Sequence, residues 1–437
     1  MNLHGWGRFP QVESEIIEPV DRGTIKALLT EPTANGQLIA RGAGRSYGDS
    51  SLGETVLGTR FLDNFLRFDT THGTLGCAAG VTLDQILTLI VPRGWILPVL
   101  PGTCHVSVGG AIASDIHGKN HHRDGCFSNF VESITLLLAS GEIVRCGPNI
   151  NRHLFHATCG GMGLTGIILE ARLKLEKISS AYIEQQTVTA RNLADVFSCF
   201  DQHAPSKYSV AWVDCLATGD RRGRSVLFTG EPASRGGLDT WTRRQIPVPP
   251  FSPGQLLNRY SIGLFNRLYY GVQLTGRKHD IPYYRDYFFP LDWMSNWNRL
   301  YGPKGFIQYQ FVVPEQSARE AIDEVLAEIS SQGKGSFLTV LKKMGPENRN
   351  LLSFPMEGYT LALDFKIEDS LFPLLERLDA IVMHHGGRLY LCKDARMSEA
   401  MFKQTYPRWE QFQQLRSEID PKNRLGSWQS RRLGLGP

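Results

Sequence analysis

The chain has 437 residues, 42% hydrophobic and 21% charged, a folded soluble composition too long for one ordinary core, so two domains are expected. Its net charge of +4, with acids and bases interspersed, makes no case for nucleic acid, which asks for a clustered basic face. The eight cysteines form no C-x-x-C pair, which argues against a zinc ribbon or a dithiol redox centre and fits a reducing compartment.

In chain order, the opening "MNLHGWGRFP" lacks a basic-then-apolar signal pattern, and no uninterrupted apolar run is long enough to span a bilayer. A cytoplasmic or peripheral membrane location is therefore expected. Short apolar runs broken by Gly, Asp, Asn and Pro follow: "QLIARG", "GTLGCAAG", "ESITLLLASGEIVRC" and "GLTGIILEARLKLEKI" predict strands. Between them "TLDQILTLIVPRG" has helical spacing, with Thr82 as N-cap and Gly94 as stop. Beyond residue 180, "AYIEQQTVTA" and "YSVAWVDCLA" predict strands flanking a helical "LADVFSCF". Residues 218–262 are rich in Arg, Gly and Pro with little periodicity and predict long, mobile loops. Strands return at "GFIQYQFVVP", "SFLTVLKKM" and "YTLALDFKI"; helices return at "SAREAIDEVLAEISSQG" and "LFPLLERLDAIVMHHGG", each closed by Gly. This order is that of a split α+β sandwich. A last helix, "YPRWEQFQQLRSEIDP", ends before Pro421.

The chemistry-bearing stretches are glycine-rich. "ARGAGRSYGDSS" (from Ala40) follows an apolar run, with Gly42, Gly44 and Gly48 in a loop. A dinucleotide fingerprint of the doubly wound type needs G-x-G-x-x-G opening a helix. The residues after this loop carry no helical apolar period, so an NAD site is disfavoured. The loop can still hold phosphate, because consecutive backbone N–H groups form an anion nest without a helix; on its own, the plainer reading is a turn between strands. Two further small-residue loops, "LPGTCHVSVGGAIASDIHGKNHHRDG" and "CGGMGLTGII", suggest a long ligand touched by backbone at several points, as a dinucleotide with a flat ring would be.

These three stretches resemble the pyrophosphate loop and the next two flavin-contacting segments of the vanillyl-alcohol oxidase / p-cresol methylhydroxylase FAD-binding family. Within it, "GWGR", "RSYGD", "LPGT", "DIHGKNHH", "FIQYQFVVP", "LSFP", "GGRLY", "KDAR" and "YPRW" resemble, in order and over nearly the whole chain, the branch that oxidises polyprenylphosphoryl-ribose. The resemblance implies an α+β, two-domain FAD-linked oxidase fold: an FAD-binding domain over residues 1–178, completed by 388–437, and an α+β substrate domain with an antiparallel sheet over 179–387. It implies FAD, held non-covalently, by Ala40, Arg41, Gly42, Ala43, Gly44, Arg45, Ser46, Tyr47, Gly48, Asp49 and Ser50, by Gly102, Ser107, Val108, Gly109 and Gly110, by Ser114, Asp115, Ile116 and His117, and by Ile168 and Tyr390. It implies oxidation of the 2′-hydroxyl of a polyprenylphosphoryl-β-D-ribose to the 2′-keto lipid. That is the first half of epimerisation to an arabinan precursor for the cell wall; a separate NAD(P)H-dependent short-chain reductase completes it. Peripheral membrane contact follows from the lipid tail. The alternatives are a soluble sugar or alditol oxidase using oxygen, and a non-catalytic binding protein.

Lys393 in "LCKDAR" is the main catalytic candidate: a lysine desolvated beside the flavin accepts the hydroxyl proton, or, protonated, holds substrate hydroxyl or phosphate, and the sequence leaves both roles open. Tyr47 and Lys119 are further catalytic candidates. Gln308 and Gln310, at strand spacing and hence on one face, and Lys342 are candidates for substrate binding, while Trp212 reads as core. His117, His121 and His122 are metal-type residues, but Gly118 and Asn120 make this a loop without an acidic or Cys partner at ligand spacing, so no metal is expected. Ala362 stands where relatives of that branch carry Cys beside the flavin.

Overall fold

The computed structural model describes residues 1–30, 36–241, 244–250 and 257–436. The N-terminal part is organised by two sheets, beside two-stranded ribbons that pair Asn2–His4 with Gln11–Glu13 and Trp95–Ile96 with Glu176–Lys177. In the first, β1 (Glu15–Ile17), β2 (Leu38–Arg41) and β3 (Thr55–Gly58) run parallel, with β3 in the middle. In the second, β4 (Phe65–Asp69), β5 (Thr74–Ala78), β6 (Val131–Leu137), β7 (Ile143–Cys146) and β8 (Ile167–Lys174) form an antiparallel sheet ordered β7-β6-β8-β5-β4. Helix α1 (Leu83–Ile90) begins with a capping box in which Thr82 and Gln85 satisfy each other's amides, and its 3₁₀ extension stops at left-handed Gly94. Helix α2 (Val108–Ala113) is capped by Ser107, whose Oγ accepts from the Gly110 amide at 3.3 Å.

The second part is one eight-stranded antiparallel sheet. Its strands are β9 (Ile183–Ala190), β10 (Tyr208–Val213), β11 (Ser225–Pro232), β12 (His279–Asp280), β13 (Phe306–Pro314), β14 (Thr339–Met344), β15 (Gly358–Lys366) and β16 (Arg388–Leu389), ordered β12-β9-β11-β10-β14-β15-β13-β16. Helices α3 (Leu193–Gln202), α5 (Glu315–Ser331) and α6 (Leu371–His384) pack on it, and Phe200, Ile322, Leu326, Leu374 and Leu378 bury against Phe311, Leu341, Leu361 and Leu363. The alternate residues of the same strands face the other way, because side chains alternate along a strand.

Among the described residues, four elements begin within 218–262, the stretch expected to be loop: a 3₁₀ turn at Gly219–Arg221, strand β11, a two-residue strand at Ile246–Pro247 and a helix from Arg259. β11 is an interior strand paired on both sides, to β9 and β10, hidden in the sequence by the Arg/Gly clusters that flank it. Helix α4 (Arg259–Thr275) begins at an Asn258 capping box. Residues 242–243 and 251–256 of that stretch lie outside the described residues.

The last segment returns to the first. The Leu38 amide donates to Arg424 O at 2.8 Å, Gly426 donates to Leu38 O at 3.0 Å, and Tyr47 donates to Cys392 O at 2.9 Å. The glycine loop after β2 is thereby tied to the residue preceding Lys393.

Candidate active site

A cavity of about 910 Å³ lies between the glycine loops and the free face of the large sheet, large enough for a dinucleotide with part of a second molecule. Ala40, Gly42, Ala43, Gly44, Arg45, Ser46, Tyr47 and Ser50 line it from the first loop; Gly102, Ser107, Gly109, Gly110, Ser114, Ile116 and His117 from the second; Ile168 from the third; and Tyr390 from the C-terminal return. Five residues of the expected FAD set lie outside its wall. Arg41 donates to His4 O (2.8 Å) and Ser51 Oγ (3.1 Å). Gly48 lies against Asp394, whose carbonyl oxygen would be 1.8 Å from an added Cβ. Asp49 pairs with Arg432 at 2.8 Å. Val108 is core, and Asp115 is fully buried, accepting from Asn348, Asn350 and Ser353 at 2.7 Å each. All five brace the loops from behind.

The wall suits a phosphate-bearing flat ligand. Among the described residues, the amides of Ala43, Gly44, Arg45 and Ser46 donate to no protein acceptor, and Gly44 is left-handed (φ 64°), as in an anion nest. A Cβ on Gly42 would sit 2.0 Å from Ser107 Oγ, so only glycine lets the first two loops approach this closely. Three buried polar atoms of wall residues lack partners: Arg45 Nε, His117 Nδ1 and Tyr287 Oη. The Arg45 guanidinium stacks on Trp6 (4.3 Å), and burial holds its pKa down. His117 packs beside the stacked Phe354–Tyr390 pair with Nε2 3.2 Å from Gln310 Nε2, and burial, reinforced by Lys342, His121 and Lys393, pushes its pKa well down, so it is neutral. His121 and His122 do not line the cavity; the first accepts from the Gly345 amide at 3.0 Å, and a ring nitrogen of the second meets Ser206 O at 2.9 Å.

The sheet face brings the polar candidates together. Register places Gln310 opposite Ala362, Ala362 opposite Val340, and Val340 opposite Trp212. Lys342 lies two residues along from Val340 and faces the same way. Trp212, expected as core, lines the cavity and donates to Phe337 O at 3.0 Å. Lys119 arrives from the second loop, bonds Tyr287 O and sits 4.0 Å from the Tyr287 ring centre. Lys393 arrives from the C-terminal return, its Nζ 3.8 Å from the Tyr47 ring centre. Burial, then the neighbouring ammonium groups, lowers Lys119 (beside Lys342) and Lys342 (beside Lys393) to about 7. Lys393 is also lowered by burial, against the opposing pull of Cys392 and Asp364. Burial pushes the Tyr47 phenol well up, so it stays protonated.

One residue of this constellation escaped the sequence reading. Asp364, buried behind Tyr47, accepts from Gln308 Nε2 at 2.6 Å and from Tyr301 at 3.4 Å, and burial raises it to about 7. A lone acid in the apolar "LALDF" was the available signal, since an unpaired carboxylate is rarely buried. Trp6 also lines the cavity, from the quoted "GWGR". Chemically, the arrangement offers main-chain donors for phosphate at one wall and three amines, two amides and a buried acid at the other, with an apolar chamber beyond.

A family model described as an FAD binding domain matches residues 14–147, and one described as D-arabinono-1,4-lactone oxidase matches residues 361–433. Decaprenylphosphoryl-β-D-ribose oxidase of Mycolicibacterium smegmatis is 35% identical over 449 aligned residues, 99% of this chain and 97% of that protein. An uncharacterized protein in the mprA 5′ region of Streptomyces coelicolor is 30% identical over 375 residues, covering 81% of this chain and 100% of that protein. Human Δ(24)-sterol reductase is 32% identical over 114 residues, only 26% of this chain.

Proposed function

The chain belongs to the FAD-linked oxidase family that includes decaprenylphosphoryl-β-D-ribose oxidase and is an FAD-dependent enzyme oxidising a CH–OH group; on that premise we propose that its substrate is a polyprenylphosphoryl-β-D-ribose, oxidised at the 2′-hydroxyl. The observation that carries this reading is the meeting of Lys119, Lys342 and Lys393 at a cavity that is also lined by a packed aromatic cluster, Trp212, Phe265, Tyr269 and Phe337. Depressed amines crowded together call for an anion, and the aromatic cluster calls for a hydrocarbon.

Bound FAD supplies the hydride acceptor for the 2′ carbon. The chain supplies the remainder. Ala43 to Ser46 and Arg45 hold the pyrophosphate, and the Gly102 face, open where a Cβ would project, admits the flat ring. Lys393, lowered by burial, takes the hydroxyl proton at Nζ as the C–H bond breaks. Asp364, behind Tyr47 and Gln308, supplies the compensating charge when Lys393 is protonated. Lys342 and Lys119 hold the phosphate, and Gln308 and Gln310 orient the sugar. The 2′-keto product passes to an NAD(P)H-dependent short-chain reductase, which returns hydride to the opposite face. FAD is held non-covalently: the His117 ring is confined by Phe354, Tyr390 and Gln310, and acid precipitation should leave all flavin in the supernatant.

Anaerobic mixing with lipid-linked ribose should bleach the flavin; bleaching by free sugars or lactones alone would overturn the reading. The match of residues 361–433 to D-arabinono-1,4-lactone oxidase favours a second reading, a soluble sugar or alditol oxidase reducing oxygen. That reading leaves the apolar chamber without a purpose.

A further inference from the structure

Helix α4 has two apolar faces. Ile262, Asn266 and Tyr270 are buried against the sheet domain; Asn266 donates to Asp214 Oδ1 at 2.8 Å and Tyr270 to Ala190 O at 3.1 Å. Tyr260, Leu264, Leu268 and Val272 follow the same four-residue step but are offset by two residues. On a helix turning about 100° per residue they stand on the opposite side. They are exposed, at 76, 59, 61 and 63%. Four large apolar groups in register on one solvent-facing stripe are not the scattered exposure normal for a soluble surface.

Charge and position identify what covers the stripe. The helix contains no Asp or Glu and carries exposed Arg259 and Arg267; exposed Arg277 and Lys278 follow it. An apolar stripe flanked by arginines is the pattern of a helix lying in the interface of an anionic bilayer. No helix among the described residues is long and apolar enough to cross a membrane, so contact through α4 would be in-plane. The third side of the helix walls the cavity: Phe265 stacks on Tyr269 (5.8 Å), and Tyr269 packs on Trp212 (4.7 Å), all at the apolar end.

We propose that the Tyr260–Leu264–Leu268–Val272 face is a membrane-docking surface that seats the apolar end of the cavity on an anionic bilayer. A lipid-linked substrate then presents its head to the lysines while its tail stays in the membrane. The docking stands on the stripe and its arginines; only the tail's path rests on the functional reading above.

The test uses the full-length holoenzyme and sucrose-loaded vesicles of phosphatidylcholine with or without phosphatidylglycerol. Wild type should co-sediment with the anionic vesicles, and less so as salt rises. L264E/L268E should lower partitioning about tenfold or more, since two leucines leave the interface, with flavin content and Tm unchanged because both sites are exposed. I143E, an exposed residue on β7, should bind as wild type. Turnover of a short-chain, water-soluble phosphoribose substrate should be equal in wild type and L264E/L268E, while turnover of vesicle-embedded substrate should fall with binding. Equal sedimentation of wild type and L264E/L268E overturns the proposal. So does a dimer in sedimentation equilibrium that L264E/L268E splits, because the stripe would then cover a second copy. If wild type binds vesicles but oxidises neither substrate, the functional reading fails and the docking stands.

Discussion

At the glycine-loop wall the cavity is bounded mostly by main chain: Gly42, Gly44 and Gly102 keep the backbone close-fitting, Arg45 adds one guanidinium, and Asp49 and Asp115 work from behind. At the sheet wall it is bounded by side chains, with Gln310, Ala362, Val340 and Trp212 in one row and Lys342, Lys119 and Lys393 around it. The first wall is intolerant of added atoms and indifferent to most lost ones; the second is the reverse. A wall built of backbone recognises what every FAD presents, a pyrophosphate and a flat ring. A wall built of side chains can be retuned to a substrate without disturbing the cofactor.

The sharpest test removes one side chain from the second wall. Lys393→Ala should keep its flavin but lose about 10²–10⁴-fold in the rate of anaerobic bleaching, the usual worth of a positioned proton acceptor. Bleaching within a few-fold of wild type would remove Lys393 from proton transfer. The converse test adds one atom behind the first wall. Gly48→Ala drives a Cβ into the Asp394 carbonyl at 1.8 Å. That is a backbone contact that no rotamer relieves, and strain of about 1–3 kcal/mol should cut flavin bound per protein about tenfold or more. Ser46→Ala, which deletes rather than adds, should hold flavin as wild type does.

Lys342→Met should raise KM for lipid-phosphate substrate about tenfold or more, as the loss of a charged hydrogen bond implies, with kcat less affected. The same lysine sets a pH limb. Because Lys342 and Lys119 are lowered to about 7, both are ammonium below that pH and amine above it, and only the ammonium pairs with phosphate. kcat/KM should therefore fall as pH rises through about 7. Lys342→Arg, charged throughout, should flatten that fall by a few-fold at one pH unit above. A limb unmoved by Lys342→Arg assigns it to another group.

The contrast between the walls also explains what could be read from the chain. Glycine loops declare themselves locally: Gly42, Gly44 and Gly48 are neighbours in sequence and in space, as are Thr82 and Gln85 in their capping box. The alternation that puts Gln308 and Gln310 on one face is likewise local. The three lysines come from a loop, a strand and the C-terminal return, and nothing short of the fold brings Lys119 to Lys342. Asp364 shows locally only as a lone acid in an apolar run; its role was hidden because its partners, Gln308 and Tyr301, lie 56 and 63 residues away. Helix α4 was missed for a different reason: with Ile262 and Tyr270 on one side and Leu264 and Leu268 on the other, being apolar on both faces cancels the period that marks an ordinary surface helix. Strand β11 was masked by the flanking charges of "GDRRGRS", although "SVLFTG" itself has strand composition.

The smallest expected effect probes how freely the side-chain wall can vary. Ala362 sits mid-row between Gln310 and Val340 and touches the cavity. Ala362→Cys adds one sulfur to a half-buried position facing open space, with no partner to break, so turnover should stay within about twofold. Its reactivity should change far more. The native thiol in the wall, Cys392, is buried and its pKa is raised, which keeps it protonated and poorly nucleophilic. A cysteine at 362 would instead face the cavity near Lys342 and Lys393, whose positive charge when protonated favours the thiolate. Thiol-directed alkylating reagents should inactivate Ala362→Cys and spare wild type, and saturating substrate should protect. Equal inactivation of both would place the reactive thiol at Cys392 and make the wall less permissive than its register suggests.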